Sequence, residues 1–358
     1  MALMSDERTD LAPATTVGAV PAQVARASAL QVPWAAVAAF AIVSCGLAWL
    51  VAAPLWIRGM GMSDPLLLVF AVVMMFTPAI ATIAALLVER RQSGRRGIRV
   101  ILGELGMWPL RPARRTVGIT VAAIIAMPLL VAAGLLVVGI LGLAQFDLVG
   151  FSGFAAQLGA ELPAGAPAPP IGLLVAVQLV TIPFAALVSA AFAFGEEIGW
   201  RGWLLPALRP LGTWPALLIS GAFWGFWHSP LILLGYNFGL TDVTGVLLMT
   251  FSCMLLGVLL GWTRLRTGSV WPAVFGHGAF NASAGMGALL VAAGSPIPAA
   301  WIAGPLGLIM CAVFTAASVI LVLAGQFRRN RLEARLGRGS ASGLEVEMGV
   351  QPAALVER

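Results

Sequence analysis

The sequence predicts an all-α fold, a polytopic membrane helix bundle of about eight transmembrane helices with both termini in the cytoplasm. Three observations predict it. The first is composition: 60% of the 358 residues are hydrophobic and 10% are charged, against about 25% charged in soluble domains. With a mean hydropathy of +0.96, the chain cannot cover itself with polar surface, and a bilayer is its natural solvent. The second is that apolar runs near the ~20 residues a crossing helix needs recur eight times. The third is that arginines alternate between the connections.

In chain order, the candidate spans are residues 33–57, 65–88, 117–144, 171–208, 214–234, 243–262, 270–293 and 301–324. Residues 1–32 are polar and small. They show no cleavable-signal pattern, because the first long apolar run begins only at Pro33. They are expected to form a disordered cytoplasmic tail, ahead of a transmembrane domain over 33–326. Residues 327–358 are expected to be a basic cytoplasmic tail, whose start, "FRRNRLEARLGR", reads as an amphipathic helix on the membrane surface. No internal repeat is evident.

Orientation follows from the arginines. Arg90, Arg91, Arg95, Arg96, Arg99, Arg111, Arg114 and Arg115 lie between the second and third spans. Arg209 follows the fourth, Arg264 and Arg266 follow the sixth, and Arg328, Arg329, Arg331, Arg335 and Arg338 follow the eighth. The opposite connections hold only Arg58 among the basic residues, with Asp64, Asp147, Glu161 and Asp242. By the positive-inside rule the arginine-rich side is cytoplasmic. Within that side, "GIRVILGELGMWPL" could lie along the headgroups with Trp108 as an anchor, or serve only to set topology. The net charge of +6 comes entirely from arginine, since the chain has no lysine, and it is not a nucleic-acid signal. Cys45, Cys253 and Cys311 each sit alone in an apolar run, which points to packing rather than to a disulfide framework or a metal cluster.

The fourth span contains formal charges. "AFAFGEEIGWRGWLLPAL" places Glu196, Glu197 and Arg201 inside an otherwise oily stretch, with Gly195, Gly199 and Gly202 small enough to let another helix come close. From 171 to 208 is 38 residues, about 57 Å as one helix. The apolar "WLLPAL" after Arg201 favours burial of the charges. Glu197 and Arg201 are four apart and share a helix face, so they can pair. Glu196 is turned by about 100° from Glu197 and has Trp200 as its i+4 neighbour, which leaves it free for another partner. Buried charge in a membrane is costly and marks a site by default, although an ion cluster that only joins helices remains an alternative.

The two histidines of the chain both fall in predicted spans. His228 lies in "AFWGFWHSPLIL" of the fifth, and His277 in "VFGHGAFNAS" of the seventh, with Asn281 four residues on and on the same face. Each needs a polar partner in lipid, and facing one another around a shared water-containing cavity meets that need. A carboxylate and an imidazole around one water make a general-base site. A second imidazole and an amide can donate to an oxyanion. A metal site formed by Glu196, His228 and His277, with a fourth position open, is the alternative. No H-E-x-x-H occurs.

The pattern resembles the CAAX protease and bacteriocin-processing family of intramembrane endopeptidases, which includes type II CAAX prenyl proteases and lysostaphin-resistance-like proteins. Glu196-Glu197 with Arg201 matches its E-E-x-x-x-R motif, and His277 with Asn281 its H-x-x-x-N motif. Its F-x-x-x-H motif maps onto Trp224 and His228, with tryptophan in place of the usual phenylalanine. The resemblance covers roughly residues 171–290. It implies a peptidase in which Glu196 activates water with help from His228, His277 and Asn281 stabilise the oxyanion, and Glu197 and Arg201 support them. It also implies either no cofactor or a single divalent metal such as zinc. The implied partners are membrane lipids and a peptide or protein substrate, with a lipid-modified one in its range, and no nucleic acid. The setting it implies is the plasma membrane of a bacterium, with the site toward the cytoplasm. Trp200, Trp224 and Trp227 crowd the motifs as candidates for a substrate groove. A transporter or proton relay, and a catalytically silent scaffold of the same fold, are the competing classes.

Overall fold

The computed structural model describes residues 31–110, 112–163 and 169–332. Nearly all of the expected N-terminal tail, Arg111, residues 164–168, and the C-terminal tail beyond Leu332 lie outside the described residues. The regular structure that is described is helical, apart from a lone antiparallel bridge between Phe146 and Val291.

The chain is a multi-pass membrane protein, but the count of long helices differs from the sequence expectation. Among the described residues six helices are long and apolar enough to cross a membrane: Trp34–Arg58, Leu67–Gln92, Ala113–Ile140, Ile171–Leu211, Val243–Thr267 and Ala300–Leu323. Their outer faces carry exposed Ile42, Ile140, Val180 and Phe184, a surface suited to lipid rather than water. The fifth and seventh candidate spans are shorter than expected. The fifth is α9 (Thr213–Trp227), which stops at His228 and resumes as the one-turn helix α10 (Ser229–Ile232). Pro230 lacks the N–H that would bond the carbonyl four residues back, so the helix breaks at the histidine. The seventh is α12 (Trp271–Ser283), opened by Pro272 in its first turn. It ends where the Ser283 hydroxyl donates back to the Ala279 and Phe280 carbonyls, 2.8 and 3.0 Å away. The glycine-containing "AGMG" that follows has low helix propensity.

The remaining elements frame these two. In chain order they are α1 (Trp34–Arg58), α2 (Leu67–Met74), α3 (Thr77–Ser93), α4 (Ile98–Glu104), α5 (Ala113–Ile140), α6 (Ser152–Glu161) and α7 (Ile171–Glu197). A π-helical stretch (Ile198–Leu204) and the short α8 (Leu205–Leu208) follow α7. After α9 and α10 come α11 (Val243–Thr267), α12, α13 (Met286–Leu290), α14 (Ala300–Ala303) and α15 (Leu308–Leu323). The short α12 lies against α7 and α5, and the short α9 lies against α11. Long helices therefore wall in the two short ones.

Glycines set the closeness of these seams. A Cβ on Gly221 of α9 would fall 2.6 Å from Met254 Cα, and one on Gly199 would fall 2.6 Å from Pro78 Cβ. Gly221 and Gly225 form a G-x-x-x-G pair against α11, the pattern by which small residues let membrane helices approach. Buried Trp200, Trp203 and Trp227 gather beside Phe40 in the main core.

The arginine pattern also needs one correction. Arg264, assigned to a connection, lies in the last turns of α11 and is fully buried. It donates to the carbonyls of Arg201 (3.0 Å), Glu104 (2.7 Å) and Gly268. The cation thus satisfies the Glu104 and Gly268 carbonyls, which helix ends leave unbonded, together with one inside the π-helical stretch, and it ties α4 to α11 and to that stretch. The segment with Trp108 is accordingly stitched to the bundle, with the Trp271 indole donating to Met107 O at 3.1 Å as well. At the chain's other end, residues 327–332 form turns rather than the start of a helix, with Phe327 stacked 4.8 Å from Trp214.

Candidate active site

Four side chains singled out from the sequence line one cavity. Glu196 from α7, His228 from the break between α9 and α10, and His277 and Asn281 from α12 all face a space of about 280 Å³. Its remaining wall includes Met74 and Met75 from the end of α2, Tyr236 and Asn237 from the loop after α10, and Cys253 of α11. Trp224 and Trp227 line it too. Trp200 does not: it is fully buried, edge-on to Phe40 at 5.3 Å, so of the three groove candidates it belongs to the core.

The charges lie inside the protein, as the oily flanks predict: Glu196, Glu197 and Arg201 are 3%, 0% and 2% exposed. The i,i+4 pair forms, with Arg201 Nη1 donating to Glu197 Oε1 at 2.6 Å. The same oxygen is 3.0 Å from His277 Nδ1. A carboxylate already holding a guanidinium can only accept, so Nδ1 carries the proton. Glu197 therefore links the fourth segment to the seventh and orients the second histidine. Its Oε2 has no hydrogen-bond partner among the described residues.

Glu196 does find another partner, as its i+4 position suggests. The Trp224 indole N–H donates to Glu196 Oε2 at 2.6 Å. Oε1 makes no hydrogen bond among the described residues and is left to the cavity. His228 is oriented by the same tryptophan, since its Nδ1 is 2.8 Å from the Trp224 carbonyl. A carbonyl only accepts, so Nδ1 donates and Nε2 keeps its lone pair. The Trp227 ring meets the His228 ring edge-on at 4.6 Å and is itself anchored by its indole N–H to Thr77 Oγ1 at 2.9 Å.

The carboxylates lie next to a π-helical stretch, Ile198–Leu204. The looser winding sends the Leu205 N–H to the Trp200 carbonyl, and Pro206 has no N–H, so the Arg201 carbonyl is available to Arg264; such irregularities occur often at functional sites. The backbone register, the role of Arg264, and the Tyr236, Asn237 and Cys253 lining are absent from the sequence reading. The i,i+4 spacing of Trp224 and His228 was a visible signal for the contact between them.

The alternative ligand set gains no support from the geometry. Among the described residues no three His, Cys, Asp or Glu side chains cluster closely enough to hold one metal ion. Glu196, His228 and His277 share a cavity without converging on one point, and one oxygen of Glu196 is occupied by an N–H donor.

Residues 178–283, which contain all four cavity groups, match the family described as type II CAAX prenyl endopeptidase Rce1-like. The chain is also similar to CAAX prenyl protease 2 of Methanococcus maripaludis, at 28% identity over 100 residues, covering 26% of this chain and 36% of that protein. The chain thus spans just over a third of that relative's length. No solved structure matches it.

Proposed function

We propose that the chain is an intramembrane endopeptidase of the CAAX-processing kind. One observation carries this reading: a carboxylate, two imidazoles and an amide from three separate helices line a single cavity. The Rce1-like match over the same residues supports it. Glu196 Oε1 takes a proton from water while His228 Nε2 accepts the water's other hydrogen bond and aims it. The hydroxide adds to the peptide carbonyl, and the resulting oxyanion is met by Asn281 Nδ2–H and by His277. That role calls for a His277 protonated on both nitrogens, with Nδ1–H on Glu197 and Nε2–H on the oxyanion. Glu196 then returns its proton to the departing amine as the carbon–nitrogen bond breaks. Glu197 and Arg201 hold the arrangement. The substrate is a peptide or protein segment presented at the membrane, with lipid-modified C-termini in its range. By the positive-inside rule this reading keeps both termini on the cytoplasmic side, in the plasma membrane of a bacterium.

The test is cleavage of a peptide library by purified protein in detergent, with Glu196→Gln and His228→Ala compared with wild type and metal content measured in parallel. Both variants should fold, with unchanged helical content, and lose at least about a hundredfold in rate, the usual scale for a general base. Cleavage retained by either variant would overturn the assigned roles, and solute flux in vesicles without any cleavage would favour transport.

A further inference from the structure

We infer that Trp224 is a positioning residue of the site, acting through its indole N–H on Glu196 and through its carbonyl on His228. This rests on the endopeptidase reading and deepens it. Trp224 touches Glu196, Arg201 and His228, and it reaches His277 on α12 as well. Its N–H bonds Glu196 Oε2 at 2.6 Å, and its carbonyl takes His228 Nδ1–H at 2.8 Å. Its ring lies under the Arg201 guanidinium, 4.2 Å from Cζ to centroid, and meets the His277 ring edge-on at 5.3 Å.

These contacts make different demands. The ring contacts need only an aromatic face, which any phenylalanine would supply. The backbone carbonyl is independent of the side chain. The bond to Glu196 needs an N–H directed from the ring edge, and among the aromatic side chains able to fill this buried slot only tryptophan carries one there. That single donor fixes one oxygen of Glu196 and so decides that the other points into the cavity. Without it a 3%-exposed carboxylate keeps no hydrogen-bond partner among the described residues and is free to rotate away from the water it must activate. Fixing a reacting group to within a fraction of an ångström is worth large factors in rate, while substrate affinity is set elsewhere in the cavity.

Two variants separate the N–H from the ring. Trp224→Phe keeps the aromatic face, and β-(3-benzothienyl)alanine at position 224 keeps the whole bicyclic shape while sulfur replaces the N–H. Both should lower kcat by about tenfold or more with KM nearly unchanged, as a lost orienting bond predicts, and the two should lower the thermal midpoint alike because both orphan the Glu196 carboxylate. A kcat within about twofold of wild type for the benzothienyl variant would overturn the proposal. So would a loss in which KM rises as kcat falls, because that would make Trp224 a packing residue of the cavity wall. A second readout does not depend on activity. In ¹⁵N-indole spectra, the resonance that vanishes in Trp224→Phe should lie downfield and move upfield in Glu196→Ala. If it stays in place, Trp224 does not bond Glu196 and the proposal fails even where the protein cleaves peptides. If it moves but wild type cleaves nothing, the positioning contact stands and the endopeptidase reading fails.

Discussion

Adding one methyl group to Gly221 should cost the protein most of its activity. Gly221 lies on α9 seven residues before His228, where α9 meets α11. A Cβ there would sit 2.6 Å from Met254 Cα and 3.0 Å from the Cys253 carbonyl. Carbon atoms in good contact stand roughly 3.8 Å apart, so the shortfall is about 1 Å. Both obstructing atoms are backbone, and no side chain can rotate out of the way. Relief therefore requires α9 to move from α11 by about that distance, carrying Trp224 and His228 with it while Glu196 stays on α7. Overpacking of this kind costs roughly 1–3 kcal/mol. A displacement near 1 Å of a catalytic group costs on the order of a hundredfold in rate. Gly221→Ala should then fold, melt a few degrees lower in detergent, and lose about two orders of magnitude in kcat/KM in the peptide-cleavage assay. Gly118→Ala on α5, where an added Cβ meets nothing within 4 Å, is the matched control and should be neutral. Full activity in Gly221→Ala would refute the claim that the glycine seam sets the spacing of the site.

Two further outcomes follow from groups away from the cavity. Arg264→Met would leave the Arg201, Glu104 and Gly268 carbonyls without their donor. Orphaned buried acceptors cost about 1–3 kcal/mol each, partly offset by no longer burying a cation, for a net loss near 3 kcal/mol. A lower melting point with faster proteolysis around residues 98–108 is expected, and an unchanged midpoint would contradict the role assigned to Arg264. Asp147 sits in the connection after α5, its pKa brought down to about 2, chiefly by the Gly150 backbone N–H, then by Ser152 and the Val149 N–H. Because the folded value lies below the ordinary 3.8, this carboxylate steadies the loop above about pH 4 and loses its effect as pH falls toward 2. Hydrogen exchange at residues 149–152 should rise across that window in the wild type, and the rise should be absent in Asp147→Asn.

Much of the site could be read from the chain because its chemistry is local. Glu197 and Arg201 pair through helix periodicity, and His277 and Asn281 share a face for the same reason. Glycines 195 and 199 announced close packing, and they face Met75 O and Pro78. Non-local features were less legible. The partner of Glu196 and the second partner of Glu197 come from helices 28 and 80 residues away in sequence. Arg264 looked like a loop charge because a hydropathy window records its polarity but not the three carbonyls around it. The fifth and seventh spans read as full crossings because hydropathy ignores the proline after His228 and the hydroxyl that closes α12. Those two breaks fall where the site's polar groups stand.

The π-helical stretch makes the fourth segment sensitive to length. Across Ile198–Leu204 the coil is wound one residue looser than on either side. Excising a single residue there would tighten it to the ordinary winding and leave the helix beyond with nearly its present facing, so Trp203 would keep the Phe40 ring it stacks on at 5.1 Å. The loss would fall on the bond between the Arg201 carbonyl and Arg264. An inserted residue finds no such slack and would swing everything downstream by about 100° about the axis. The interval between the acidic pair and the tryptophan core already holds the surplus it can absorb, and it bears a shorter count more readily than a longer one.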